Sequence, residues 1–397
     1  MSLSDYGKQY LLLGLRIGKL IDGYVDSYFG PPELATMVNN EDSRSPESLL
    51  EISHSLLKDL PEQGFEEERN RFLEKVLNAT VSSLEVLSGI QVPYLELVKR
   101  LFDIEPELID DKVFFNAVDE LENLYDGQGT LLERIEEARK LSSLSPDKVE
   151  SSMKQGFEIA REKTLETFTE LLPPEESISI KIVQDAPWSA YNWYLGNYKS
   201  RIDVNTDLPV QWNNILLLSC HEGYPGHHTE HAIKEKVLYI ENNRFENAIL
   251  LVHTPEAVIS EGIGNTALNV LFSDEEIEEL GLDQLCPEPE KEPPLEILVA
   301  RKAASEKLAA FSGNLAIHAH VDGWTDDQLV KYAVQFGFIS EKRVRQQLKF
   351  IRDPLWSPYI FNYFFGRNLI TAKFGARPDP QDFKTLLTKP VLPSDLR

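Results

Sequence analysis

Residues 215–231 read Ile-Leu-Leu-Leu-Ser-Cys-His-Glu-Gly-Tyr-Pro-Gly-His-His-Thr-Glu-His. Four of the chain's eight histidines, His221, His227, His228 and His231, fall in this one segment. Neutral imidazole is a favoured zinc ligand, and zinc hydrolases hold the ion with three side chains and leave a position for water. The usual helical form is His-Glu-x-x-His: positions i and i+4 share a face, and the Glu beside the first His acts as base. Here the second His comes two residues late. In an unbroken helix, i+6 points about 120° away from i; His228, at i+7, returns to within roughly 20° but stands about 10 Å further along the axis. Pro225 offers no N–H to the carbonyl of His221 and disturbs the turn, and Gly226 tolerates unusual backbone angles. A bulge at Pro225-Gly226 would bring His227 to the place of an i+4 His. Two alternatives stand beside this: His227 and His231 as an i,i+4 ligand pair, or a solvated polar helix face with no metal. The apolar run Ile215–Leu218 favours the metal, because it seats the helix in the core, where an unpaired charged cluster is costly.

Downstream, Thr254-Pro255-Glu256 reads as an N-cap followed by Pro at the first helical position. That helix carries Glu256 and Glu261. Glu256 lies in the first turn, where the helix dipole alone accounts for a carboxylate. Glu261 is followed by Gly262 and Gly264, which would allow close approach to the motif helix, so we favour Glu261 as third ligand.

Upstream, Ile178–Val183 alternates as a strand does, and Arg201–Thr206 reads as strand again. Between them lies the aromatic stretch Trp188-Ser189-Ala190-Tyr191-Asn192-Trp193-Tyr194. A small sheet is expected here, the chain's one β region. Residues 6–30 show helical spacing and stop at Phe29-Gly30-Pro31-Pro32. From 45 to 172 helix follows helix, with breaks at Pro61, Pro93, Pro106 and Pro146. Ser273–Pro294 reads as a polar surface connector, 295–350 as helices, and the tail after 376 is uninformative. The expected fold is mainly α, with a small β-sheet next to the motif helix. It divides into an N-terminal helical lobe (1–175) and a metal-binding lobe (176–397), or forms one continuous domain.

The 397 residues are 42% hydrophobic with a formal charge of −25, a folded composition that disfavours nucleic acid, whose phosphates demand clustered Lys and Arg. Two cysteines, Cys220 and Cys286, are too few for a disulfide framework; Cys220 reads as buried filler. Charges at Arg16, Lys19 and Asp22 follow Leu11–Leu13 too soon for a signal segment or a membrane span. A cytoplasmic protein without a membrane partner is expected.

Taken together, these segments resemble the HExxPGHH proteins grouped as domain-of-unknown-function family 885, zincin-like metallopeptidases of largely helical fold. The resemblance takes in Leu15-Arg16-Ile17, Tyr28–Pro32, Tyr191–Gly196, Asn205–Pro209, Ser260-Glu261-Gly262, His318–Thr325 and Tyr363–Arg367. It implies His227 rather than His228 as second ligand. It also implies Tyr363 and His318 as donors to a tetrahedral oxyanion. Where that family has Glu-Gly-Trp-Ala this chain has Glu261-Gly262-Ile263-Gly264, so a pocket lined by that Trp differs here.

The expected function is a zinc-dependent hydrolase acting on a peptide or small amide. Zinc, or another divalent ion, would be held one per chain by His221, His227 and Glu261, with Glu222 as general base. Arg352 or Arg367 would bind a substrate carboxylate bidentately if the enzyme is a carboxypeptidase or dipeptidase; surface ion pairing is the plainer role. Tyr191 and the strand at 201–206 would offer an edge to an extended peptide. The competing readings are a non-peptide amide or ester hydrolase on the same site, and a non-catalytic helical scaffold with a structural metal.

Overall fold

The computed structural model describes residues 3–186, 188–207, 209–288 and 291–397. It is mainly helical, with two small sheets. Helices Pro46–Asp59, Glu67–Leu87, Tyr94–Phe102, Asp111–Leu124, Leu131–Leu141 and Pro146–Thr167 follow one another as the spacing predicts. The prolines act as starts as much as stops: Pro46 and Pro146 each open a helix, and Pro93 directly precedes one, where a missing N–H costs nothing.

Two stretches fold otherwise than expected. Residues 6–30 are not one helix: Asp5–Gly18 is helical, but Val25–Tyr28 is strand β1. The Ser273–Pro294 connector contains the helix Asp274–Leu280, opened by a reciprocal Ser273–Glu276 capping box and continued as a π-helical segment to Leu285. Such a box satisfies two orphan N–H groups and nucleates a helix in a polar sequence.

The expected sheet is present and has three strands: β2 (Ser177–Val183), β3 (Ala190–Gly196) and β4 (Lys199–Asn205). Their order is β2-β4-β3, with β2 parallel and β3 antiparallel to β4. The strand at 201–206 is therefore central, and the edges belong to β2 and to β3, which β1 meets through Ser27 and Asp26. A second sheet, absent from the sequence reading, pairs β1 with β5 (Ile249–Leu251) antiparallel.

Three apolar clusters form the core. One gathers Leu11, Ile17, Leu73 and Leu77 with Phe245 and Ile249. Another packs Phe114 against Phe311 and Phe336 and extends to Phe364. The third surrounds the motif with Met153, Phe157, Ile202, Ile215 and Ile263. Each draws residues from both sides of position 175. The helix Pro255–Leu271 ties two of them together, through Val258 to one and Ile259 and Ile263 to the other. Among the described residues no helix is long and apolar enough to cross a membrane.

Candidate metal centre

The motif segment begins as one α-helical turn, Ile215–Leu218, and widens into a π-helical turn, Ser219–Gly223. Tyr224 N–H donates to Ser219 O at 3.1 Å and Gly226 N–H to Cys220 O at 2.9 Å. Tyr224 is extended, the Tyr224–Pro225 bond is cis, and a new helix runs from His227 to Lys234. This local widening absorbs the two residues that separate the motif from His-Glu-x-x-His. The bend is tight: a Cβ on Gly226 would lie 2.0 Å from His221 O and 2.3 Å from Cys220 O.

The bend turns His227 back onto His221. Their Nε2 atoms stand 3.2 Å apart with the rings at 89°. Glu261 Oε2 is 3.9 Å from His221 Nε2, and one ligand atom from each of the three residues lies within 4.8 Å of the others. Gly264 makes this approach possible, since a Cβ there would meet the His221 ring at 2.8 Å. Gly262 serves a different contact: it faces Gly366 of the helix Asn362–Phe374 rather than the motif.

His228 points elsewhere. It is fully buried, with Nδ1 2.8 Å from Ser200 Oγ and Nε2 2.8 Å from Glu176 Oε2. The structure thus places His227, not His228, beside His221. His231 stacks behind His227 at 6.0 Å between ring centroids, forming with His227 and Glu230 a second group of adjacent ligand atoms. There, however, Glu230 already accepts Lys234 Nζ at 2.7 Å and Ser260 Oγ at 2.7 Å.

Ser260 settles the His227 tautomer. Its hydroxyl proton goes to Glu230, so the oxygen accepts from His227 Nδ1–H at 3.1 Å. Once the ring loses its second proton, as a metal ligand must, the Nε2 lone pair faces His221 and Glu261. Outer partners of this kind orient a ligating imidazole, and their loss typically costs about 10–100-fold in metal affinity. Ser260→Ala is expected to weaken zinc binding by about that factor, measured by competition with a chromogenic chelator; an unchanged affinity would show the relay to be idle.

The electrostatics are those of a buried site with excess negative charge. Burial pushes Glu222 up to about 7, helped by Glu261 and Asp26 and opposed by His227. Burial likewise raises Glu261 and Asp26. Burial, reinforced by the charge of His227, takes His221 down to about 3. Against burial, Glu230, Glu222 and Glu261 lift His227 to about 9. Lys234, held between Glu230 and Glu256 at 2.7 and 3.1 Å, is the neighbouring cation.

Glu222 is buried, and its backbone carbonyl accepts Asn192 Nδ2 of β3 at 2.6 Å. Glu261 Oε1 accepts the Tyr359 hydroxyl at 2.9 Å. Tyr363 is removed by one ring: it is 52% exposed and meets Tyr359 edge-on at 5.5 Å. Sequence reading missed Tyr359, four residues before Tyr363, because nothing local separates it from the surrounding aromatics. His318 pairs with Asp322 at 2.6 Å and stacks on Trp324 at 3.9 Å. The guanidinium of Arg352 is engaged by Asp326, Ala319 O and Trp324 O, and that of Arg367 by Glu306. These contacts correspond to the plainer ion-pairing role. Tyr191 donates to Asp26 of β1, a residue the sequence reading passed over. Cys220 is fully buried and its thiol is pushed up by burial. Thr254 is the N-cap and Pro255 opens the helix, as expected, but the Thr254 hydroxyl donates to Leu251 O at 2.7 Å and makes no capping bond.

No model of a known protein family matches the chain, and no curated protein matches it. Among solved structures it is similar to one titled "putative lipoprotein" from Colwellia psychrerythraea, with a TM-score of 0.52 at 15% identity, over 93% of this chain and 69% of that one. It also matches a "putative lipoprotein of unknown function" from Shewanella oneidensis, with a TM-score of 0.46 at 13% identity, over 90% of this chain and 72% of that one. The first likeness concerns the fold alone.

Proposed function

We propose that this chain is a zinc-dependent hydrolase of zincin-like type acting on peptides. The observation that carries the reading is the convergence of His221, His227 and Glu261, with the buried Glu222 next to the first of them. The donor set suits zinc: two imidazole nitrogens and one carboxylate oxygen, the three-ligand set that in catalytic sites leaves the fourth position to water. Two nitrogens bound to one tetrahedral zinc stand roughly 3.3 Å apart, from bond lengths of about 2.0–2.1 Å; here the spacing is 3.2 Å. A dication also offsets the surplus of buried carboxylates, which is otherwise expensive. The resemblance to the HExxPGHH proteins supports the same reading.

Zinc, when bound, supplies a Lewis acid and an acidified water. Everything else falls to the chain. Glu222 takes a proton from the attacking water and returns it to the departing amine. Tyr359 holds Glu261 by its Oε1, leaving Oε2 on the His221 side. Ser260 and Glu230 keep His227 in the Nδ1–H tautomer. β3 is a sheet edge whose Asn192 is bonded to the Glu222 backbone and whose Tyr194 carbonyl accepts Ser27. The rest of such an edge aligns an extended peptide by main-chain hydrogen bonds, which favours a peptide over a small amide or ester.

The test is metal analysis of the purified protein together with cleavage of a mixed peptide library, with and without chelator. About one zinc per chain and chelator-sensitive cleavage are expected. Full activity in metal-free protein would overturn the reading, as would zinc-loaded protein that hydrolyses nothing.

A further inference from the structure

Asp26 is placed by a defect in a sheet. In the β1–β5 pair, Val25 lies opposite Leu251 and Ser27 opposite Leu250, so Asp26 is the extra residue of a bulge. Bulges re-aim side chains and recur beside active sites. On one side of it, the buried Ser27 ties β1 to β3 through its hydroxyl, 2.7 Å from Tyr194 O. Asp26 itself accepts the hydroxyl of Tyr191, also on β3. The next β3 residue, Asn192, is bonded to the Glu222 backbone. Adjacent strand side chains point to opposite faces, so Tyr191 and Asn192 lie on the two sides of β3. The charge of Asp26 nonetheless reaches Glu222, Glu261 and Tyr359. The Asp26–Tyr191 pair is not among the groups of convergent ligand atoms found among the described residues.

The chemistry of this pair is one-sided. The Tyr191 hydroxyl hydrogen is engaged by Asp26, so what the two side chains have left to offer is acceptor oxygens. Trp188 and Trp193 flank the Tyr191 ring, with centroids 5.6 and 4.7 Å away. Aromatic faces attract cations, and Arg201 already lies over Trp193 at 5.5 Å. The nearby cation Lys234 is already held by Glu230 and Glu256, and Arg352 and Arg367 are engaged elsewhere. The Asp26–Tyr191 pair itself offers a substrate carboxylate no donor, whereas it offers an ammonium group acceptor oxygens.

We infer that Asp26 and Tyr191 recognise the free α-ammonium group of a peptide substrate, so that the enzyme cuts from the amino terminus. This rests on the hydrolase reading above and names its substrate class. The α-ammonium is favoured over a lysine side chain because it is tethered two bonds from the first carbonyl carbon. A carboxylate that recognises it must share the electrostatic surroundings of the base, as Asp26 does.

The experiment compares Leu-Gly-Gly with N-acetyl-Leu-Gly-Gly and N-acetyl-Leu-Lys-Gly on zinc-loaded full-length protein and on Asp26→Asn, which keeps an acceptor for Tyr191. Wild-type kcat/KM should favour the free amine by about 100-fold, and the variant should lose most of that preference through KM, as expected for an unpaired buried charge partner. Calorimetry on metal-stripped protein gives a second readout: Leu-Gly-Gly should bind wild type at least about tenfold more tightly than it binds Asp26→Asn. Equal cleavage of free and acetylated peptides by wild type would overturn the inference and leave the hydrolase intact. Preference for the acetylated lysine peptide, or unchanged selectivity in Asp26→Asn, would also overturn it. Absence of all hydrolysis in zinc-loaded protein would instead sink the hydrolase reading, and with it the inference.

Discussion

Glu222→Gln is expected to retain zinc and to lose turnover by ~10²–10⁴-fold, the range that a positioned general base contributes. The substitution is nearly isosteric, and nothing in the ligand set depends on it: the convergent atoms belong to His221, His227 and Glu261. The Glu222 backbone carbonyl that accepts Asn192 is unchanged by a side-chain amide. What is lost is a buried group that can take and return a proton. Steady-state kinetics with parallel metal analysis checks this. Equal metal content with a turnover near that of wild type would remove Glu222 from the chemistry. It would also revive the scaffold alternative, in which the metal merely braces the fold.

How far the sequence carried this site depends on the range of the interactions. The His221-Glu222 pair, the late His227 and the Pro-Gly interruption are neighbours along the chain, so helical geometry alone could ask how the gap is closed. The structure answers with the π-helical turn at Ser219–Gly223. Glu261 was legible because Gly262 and Gly264 mark a helix built for close approach, although only Gly264 faces the motif. Asp26, Tyr359 and Ser260 were not legible. Each acts across more than thirty residues or through an unremarkable side chain: Ser260 on His227, Tyr359 on Glu261, Asp26 on Tyr191. The same holds for the fold. The helical lobe showed itself through apolar spacing and prolines, whereas β1 has four residues and finds its partner β5 more than two hundred positions away. Periodicity over so short a run is indistinct. The helix after Ser273 was hidden for another reason: a Pro-rich, acidic composition outweighed the local capping signal.

Gly226→Ala should damage both stability and metal binding, unlike the Glu222 variant. A methyl group there would sit 2.0 Å from His221 O and 2.3 Å from Cys220 O, both backbone atoms. Neither can yield readily. Cys220 O accepts the Gly226 N–H at 2.9 Å, and the His221 ring is held so close to Gly264 that a Cβ added to that glycine would come within 2.8 Å of it. Relief therefore requires the bend at 224–226 to open, and opening it carries His227 away from His221. The expected cost is about 2–4 kcal/mol in the metal-free protein, the scale of a severe steric lesion in a packed interior. Zinc affinity should fall by at least about 100-fold, since one of three protein ligands no longer reaches the ion. Denaturant melts of metal-free protein separate the first effect from the second, which chelator competition measures. A variant that melts early yet binds zinc as wild type does would show that the tight turn serves the fold alone and that the two imidazoles are aligned by other contacts.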